Sequence, residues 1–392
     1  MWFWFAIITL LCWSGSDFFS KIGCRDAKDK YSQFKMVMAV GVVMGLHAAY
    51  EIFFNGVTIS WQVIWTYLPV SLLYIGSMAM GYVGLRYIEL SISSPICNAS
   101  GALVAIIAIL TGTSGEMDAL QYVAVALACI GVISLGFVEA KEDEDLRAAR
   151  QEASNYKYAK SWLALALPVA YCVLDAAGTF ADDVVLTVFH LDFINANTTS
   201  EFAHLFTDGI PEAFETLAAL LEESGKESFV ELFAAGIPET LNSLVSVDVA
   251  AELENFIASN QLTPQSIDNI TAFISEMEEA SASSANVAYE LTFLAAGIVC
   301  FIYTVIIKKQ KLVAKVEGPK YVGAIFETAG QFTYIMALAS GNAALAAPII
   351  SSYCMASVLW SRIFLKEKLS WKHYACIAVT FAGILIMGIY DM

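Results

Sequence analysis

Ten apolar stretches run through this chain of 392 residues, and twenty of its 21 Lys and Arg fall in alternate gaps between them. The basic gaps lie at 21–35, at Arg86, and at 141–160, 308–320 and 362–372, while the remaining gaps hold one cation, Lys226. A soluble protein has no reason to sort its cations in this way. Loops that stay on the cytoplasmic side of a bilayer keep Lys and Arg, because these residues resist translocation. The pattern predicts a multi-pass membrane protein with cytoplasmic basic gaps and both chain ends outside.

A bilayer core of roughly 30 Å needs about 20 apolar residues per helix. The stretches at 2–22, 36–55, 63–85, 91–112, 119–138, 161–181, 287–307, 320–340, 343–364 and 371–390 meet that need. The chain begins directly on Met1-Trp2-Phe3-Trp4, with no basic leader region, so no cleavable signal peptide is expected. Seven of the eight cysteines sit in apolar spans and the eighth, Cys24, in a basic gap. No disulfide framework is expected, and the cysteines read as small apolar residues.

The net charge of −17 is local. Residues 189–285 hold seventeen Asp and Glu against one Lys, and the rest of the chain is near balance. This acidity argues against a nucleic-acid partner. Within the same segment, 202–217 recurs as 229–244. Gly209 and Gly236 suit a helix break, and Pro211 and Pro238 suit the first turn of the next helix. The segment reads as a small all-helical domain of stacked repeats on the outer side. Asn197-Thr198-Thr199 and Asn269-Ile270-Thr271 match the glycosylation sequon, a pattern that often arises by chance.

The membrane part also repeats. Ser93-Ser94-Pro95-Ile96 opens one span and Ala346-Ala347-Pro348-Ile349 opens another, each followed by an acid-bearing turn and a glycine-bearing apolar helix. Spans 1–5 look like a duplicate of spans 6–10. Five is odd, so the second copy is inserted upside down, an arrangement common in secondary transporters. The predicted fold is an all-α integral membrane protein of ten transmembrane helices in two inverted five-helix repeats, plus a small helical extramembrane insert. The parts are the first repeat (1–140), a cytoplasmic linker (141–160), the first helix of the second repeat (161–188), the insert (189–285) and the last four helices (286–392).

The duplicated part resembles the drug/metabolite transporter superfamily, specifically the EamA-type permeases. Leu11-Cys12-Trp13-Ser14-Gly15-Ser16-Asp17 with Lys21 carries this likeness, as do Leu85-Arg86-Tyr87-Ile88 and the turn Leu365-Lys366-Glu367-Lys368-Leu369-Ser370 before Gly383. The corresponding first-half turn, Gly115-Glu116-Met117-Asp118, lacks the usual basic residue after Glu. The resemblance implies a ten-helix basket around a central cavity that moves small metabolites by alternating access. It implies export of amino acids or related compounds, with nucleotide sugars or drugs as alternatives within the class. A second reading is a membrane-anchored surface protein whose acidic insert binds a cationic ligand or partner.

A carboxylate in a spanning helix costs at least about 2.5–3.5 kcal/mol at the midplane, so it needs a partner or a wet cavity. Asp17, Asp175 and Glu327 are the candidates. Asp17 and Glu327 fall at similar depth, which suits proton coupling or cation binding. The plainer reading is that each accepts a hydrogen bond and fixes packing. Trp13, Tyr74, Tyr82, Gln331 and Tyr334 are candidates to face a substrate, with packing or lipid contact as the alternative. Pro95 and Pro348 are expected to kink their helices and free carbonyls for the cavity. His47 reads more readily as a packing histidine than as a proton relay. Glu51 and Glu290 fall near outer span ends where water reaches them, and Asp182-Asp183 reads as a solvated helix end. Gly41 and Gly45 permit close helix approach. No nucleotide-binding loop, metal-ligand spacing or hydrolase elbow is present. No enzyme activity, cofactor or metal is expected. The expected partners are a small-molecule substrate and the lipid bilayer, and the expected location is a bacterial plasma membrane.

Overall fold

The computed structural model describes residues 2–24, 29–87, 90–111, 117–140, 162–197, 264–339, 343–364 and 370–390. By contacts the chain divides into two compact units, 1–185 with 283–392, and 186–282. The repeat at 202–217 and 229–244 and the linker at 141–160 lie outside the described residues, as does most of the turn at 365–370.

Every described element is helical. In the larger unit, α1 (Trp2–Cys24), α2 (Ser32–Phe53) and α3 (Trp61–Tyr87) are followed by the short pair α4 (Leu90–Cys97) and α5 (Ser100–Thr111), then α6 (Ala119–Ala140). The chain continues with α7 (Trp162–Asn197), α8 (Pro264–Phe301) extended by a π-helical turn (Ile302–Ile307), and α9 (Ala314–Ala339). The short pair α10 (Ala343–Ser351) and α11 (Tyr353–Phe364) and then α12 (Trp371–Tyr390) complete it. Among the described residues, six helices are long and apolar enough to cross a membrane, and two further apolar helices are shorter. Large side chains such as Leu46, Phe53, Trp61, Leu110 and Val299 are exposed along these helices. That is the distribution expected where lipid is the solvent.

The two prolines act where the sequence places them. After Pro95 the helix breaks at Asn98-Ala99, and after Pro348 it breaks at Ser352. At the second break Ser352 N turns to Ile349 O at 3.1 Å, and Pro348 O accepts from Ser352 Oγ at 2.7 Å instead; at the first, Ser94 O keeps Asn98 N at 2.9 Å and also accepts from Asn98 Nδ2 at 2.7 Å. Helix starts also correspond. Gln121 reaches back to the Asp118 N–H at 2.8 Å at the start of α6, and His373 Nδ1 accepts from the Ser370 N–H at 3.1 Å at the start of α12. Both are the return half of a capping box, which satisfies an N–H that the helix itself leaves unpaired.

Helix pairing follows small residues. α1 packs along α9, α6 along α12, and α5 along α10. α2 meets α8 where Gly41 faces Gly297: a Cβ on Gly41 would lie 2.7 Å from Phe293 O and 3.0 Å from Gly297 Cα. Only glycine allows backbones this close.

Candidate functional site

One face of each of several helices converges on a cavity of about 60 Å³, which is room for a small cluster of waters. α1 contributes Trp13, Ser16, Asp17 and Ser20, spaced three and four apart so that they share a face. α3 contributes Tyr74, Met78, Gly81 and Tyr82, and α4 contributes Ser93, Ser94 and Cys97. α7 places Tyr171 one turn from Asp175, and α9 places Glu327 one turn from Gln331; Tyr289 of α8 and Tyr353 of α11 close the wall.

Three carboxylates from three helices therefore meet in one space, and each is held by serine. Ser94 donates to Asp17 Oδ2 at 2.6 Å and Ser357 to the same oxygen at 3.1 Å. Ser100 donates to Asp175 Oδ2 at 2.7 Å, and Ser16 to Glu327 Oε2 at 2.6 Å. In each case the second carboxylate oxygen takes no hydrogen bond among the described residues. Among the described residues, no Lys, Arg or His lines the cavity. Lys21, the nearest cation along α1, follows Asp17 by four residues and is not part of the wall.

Donors without partners stand beside these acids. Trp13 Nε1, the Tyr82 hydroxyl and Gln331 Nε2 are buried and make no hydrogen bond. Buried polar groups are almost always paired, so three orphans on one cavity wall call for an explanation. Trp13 is fixed by its ring contacts, 5.1 Å from Tyr334 and 5.9 Å from Tyr353 between centroids. Its indole also fills the space left by the missing side chain of Gly330, where a Cβ would come within 2.6 Å of Nε1.

Polar clusters flank the cavity along the helices. Seven residues before Glu327 on α9, Lys320 is 1% exposed and donates to Glu317 at 2.7 Å. Lys35 of α2 bridges Glu317 at 3.1 Å and Asp29 at 2.8 Å. Seven residues after Glu327, the Tyr334 hydroxyl bonds the Tyr74 hydroxyl. Tyr74 also donates to Asp182 Oδ2 and to Thr179 Oγ1, both at 3.2 Å. Seven residues correspond to roughly 10 Å of helix, so the cavity sits midway between two closed contacts.

Of the sequence-predicted site residues, Trp13, Asp17, Tyr74, Tyr82, Asp175, Glu327 and Gln331 line the cavity. Pro95, Pro348 and Tyr334 do not. The prolines break their helices beside the site, and Tyr334 stands behind Trp13 and Tyr74. Asp182 is no solvated helix end: it is fully buried and bonded by two tyrosines. Glu51 and Glu290 are likewise buried and not solvated, with His47 between them, 2.9 Å from Glu290 and 3.5 Å from Glu51. Sequence reasoning missed Tyr171, Tyr289 and Tyr353 as wall residues. Tyr171 falls one turn before Asp175, which is the signal that identifies it.

These features define a multi-pass helical membrane protein with a cavity that carries three carboxylates on its wall. Residues 271–389 match the model of the EamA-like transporter family, and the matched range runs from within α8 nearly to the end of α12. That part of the chain is similar to the EamA-like transporter family. No curated protein compared matches the chain.

Proposed function

We propose that this protein is a secondary active transporter that carries small polar metabolites across its membrane by alternating access. Its substrate sits in the cavity shared by Asp17, Asp175 and Glu327. The observation that carries this reading is the convergence of three carboxylates and three unpaired donors on one cavity, within a chain whose residues 271–389 match a transporter family. An intramembrane carboxylate facing a cavity marks a substrate or ion pathway.

The helix pairing supports two inverted five-helix halves. If spans 1–5 correspond to 6–10, the pairs α2 with α8, α5 with α10 and α6 with α12 each join a span to its own counterpart. The pair α1 with α9 then corresponds to α7 with α3, and those two meet where Tyr171 packs on Gly81 and Tyr74 on Gly178. A two-fold axis in the membrane plane generates that pattern. The cavity draws its wall from both halves, so rocking one against the other opens it to each side in turn. Closure here is by the Lys35–Glu317–Lys320 cluster at one end and the Tyr74–Tyr334 contact at the other.

Proton coupling through the same carboxylates fits the absence of a basic group on the wall. The basic gaps face the cytoplasm, with both ends and residues 189–285 outside. Amino acids and related metabolites are the substrates that the family resemblance suggests. The test is flux in proteoliposomes holding the full chain, with and without a pH gradient. Asp17→Asn and Glu327→Gln should abolish gradient-driven flux while the protein stays folded. Unchanged flux in both variants would remove the cavity from the mechanism.

A further inference from the structure

We infer that the cavity takes a small organic cation, its charge drawn by the carboxylates of Asp17, Asp175 and Glu327 and a neutral oxygen on the same molecule met by Tyr82 and Gln331. The inference rests on the reading of the cavity as the substrate site, and it replaces the zwitterionic amino acids that the family resemblance suggests with cationic relatives that lack the carboxylate.

Three carboxylates share one wall with no Lys, Arg or His among the lining residues. Each keeps one oxygen on a serine hydroxyl and leaves the other without a hydrogen bond. A serine donor positions a carboxylate without neutralising it, so the bare oxygens are suited to N–H donors of a ligand. Charge-assisted bonds of that kind are about twice as strong as neutral ones. Among the described residues, no group of three His, Cys, Asp or Glu could hold a metal ion.

The rest of the wall fits the same ligand. Trp13, Tyr74, Tyr82, Tyr171, Tyr289 and Tyr353 line the cavity. Aromatic faces attract ammonium groups through their quadrupole, more strongly when water is excluded. The donors give the second half of the ligand. Tyr82 is 6% exposed and Gln331 is 3% exposed, yet the Tyr82 hydroxyl and Gln331 Nε2 have no partner. They require an acceptor that the protein does not provide. A carboxylate acceptor would have to sit among three acids, with Lys21 near Asp17 but no base lining the cavity among the described residues. A neutral hydroxyl or carbonyl oxygen satisfies the same donors without that repulsion. A cationic amino alcohol or amino amide has both features, whereas a zwitterion or an anion has the wrong charge for half of the wall.

The test is calorimetric titration of the full chain in lipid nanodiscs with four probes: ethanolammonium, ethylammonium, β-alanine and glycolate. Ethanolammonium should bind, with β-alanine and glycolate weaker by about tenfold or more. Ethylammonium lacks the oxygen and should bind more weakly than ethanolammonium, and Tyr82→Phe should erase that difference. Asp17→Asn, Asp175→Asn and Glu327→Gln should each weaken ethanolammonium by about tenfold or more, with the unliganded thermal midpoint confirming folding. If an amide variant fails to fold, the probe ranking on the unaltered protein and the Tyr82→Phe comparison decide. β-Alanine or glycolate binding as tightly as ethanolammonium overturns the inference, as does the absence of binding by every probe. Flux measurements separate this result from the transport reading. Cation binding without flux leaves the inference standing and removes the transporter. Flux of a zwitterion that is lost in Asp17→Asn keeps the transporter and removes the inference.

Discussion

The Tyr67 hydroxyl donates to Asp182 Oδ1 at 2.6 Å, and both residues are fully buried. Tyr74 takes the other carboxylate oxygen from the same helix, two turns along. A buried carboxylate with two tyrosine donors is stable only while both remain. Tyr67→Phe should therefore lower stability by about 1–3 kcal/mol, the cost of leaving a buried polar group short of a partner. Thermal unfolding of the purified protein reads this directly. Tyr50→Phe is the control, because Tyr50 is 51% exposed and the change there should be close to neutral.

The opposite flank depends on one carboxylate. Glu317 serves both Lys35 and Lys320, and all three are buried. Removing one member of a buried ion pair costs about 3–5 kcal/mol, because the partner's charge is left without compensation. Glu317→Gln should fall in that range. Asp29→Asn should cost less, since Lys35 retains Glu317. Lys320→Met placed on top of Glu317→Gln should recover part of the loss. A double-mutant cycle that shows simple additivity would count against a shared cluster.

The carboxylates and their faces were legible in the sequence for a simple reason. An acid in an apolar span is expensive, so Asp17, Asp175 and Glu327 stand out without any structure. Helical spacing then put Trp13 on the face of Asp17, and Gln331 on that of Glu327. The positions of Pro95 and Pro348 located both helix breaks. Tyr289 and Tyr353 were not legible, because an aromatic in an apolar span is equally suited to lipid, packing or a cavity. Asp182 and Glu290 were misread because depth along one helix was taken as access to water. Their burial depends on neighbours from other helices, Tyr67 and Tyr74 for one and His47 for the other, and no pattern within a single span reports that.

Trp13 depends on the bare backbone of Gly330. A methyl group there would collide with the indole, coming within 2.6 Å of Nε1. The indole packs against Tyr334 and Tyr353, so its way out is toward the cavity. Gly330→Ala should cost about 1–3 kcal/mol by overpacking. It should also reduce cavity volume and weaken whichever probe stabilises the unaltered protein. Thermal shift with and without that probe separates the effects: the unliganded midpoint reports the packing cost, and the ligand-induced increment reports the cavity. An unchanged increment would show that Trp13 moves elsewhere.

Gly41 and Gly297 face one another across the α2–α8 contact but are not equivalent. A Cβ on Gly41 would meet the Phe293 carbonyl oxygen at 2.7 Å, an atom of the backbone that cannot swing aside. A Cβ on Gly297 would meet Gly41 Cα at 3.1 Å and Val37 O at 3.5 Å, distances that a shift of a few tenths of an ångström relieves. Both glycines also lose some helix-breaking tendency on replacement by alanine, a gain of about 1 kcal/mol in each case. Gly41→Ala should therefore be net destabilising, because helix separation costs more than propensity returns. Gly297→Ala should lie close to neutral. The order of the two unfolding midpoints checks the contact, and a reversed order would place the close approach elsewhere along these helices.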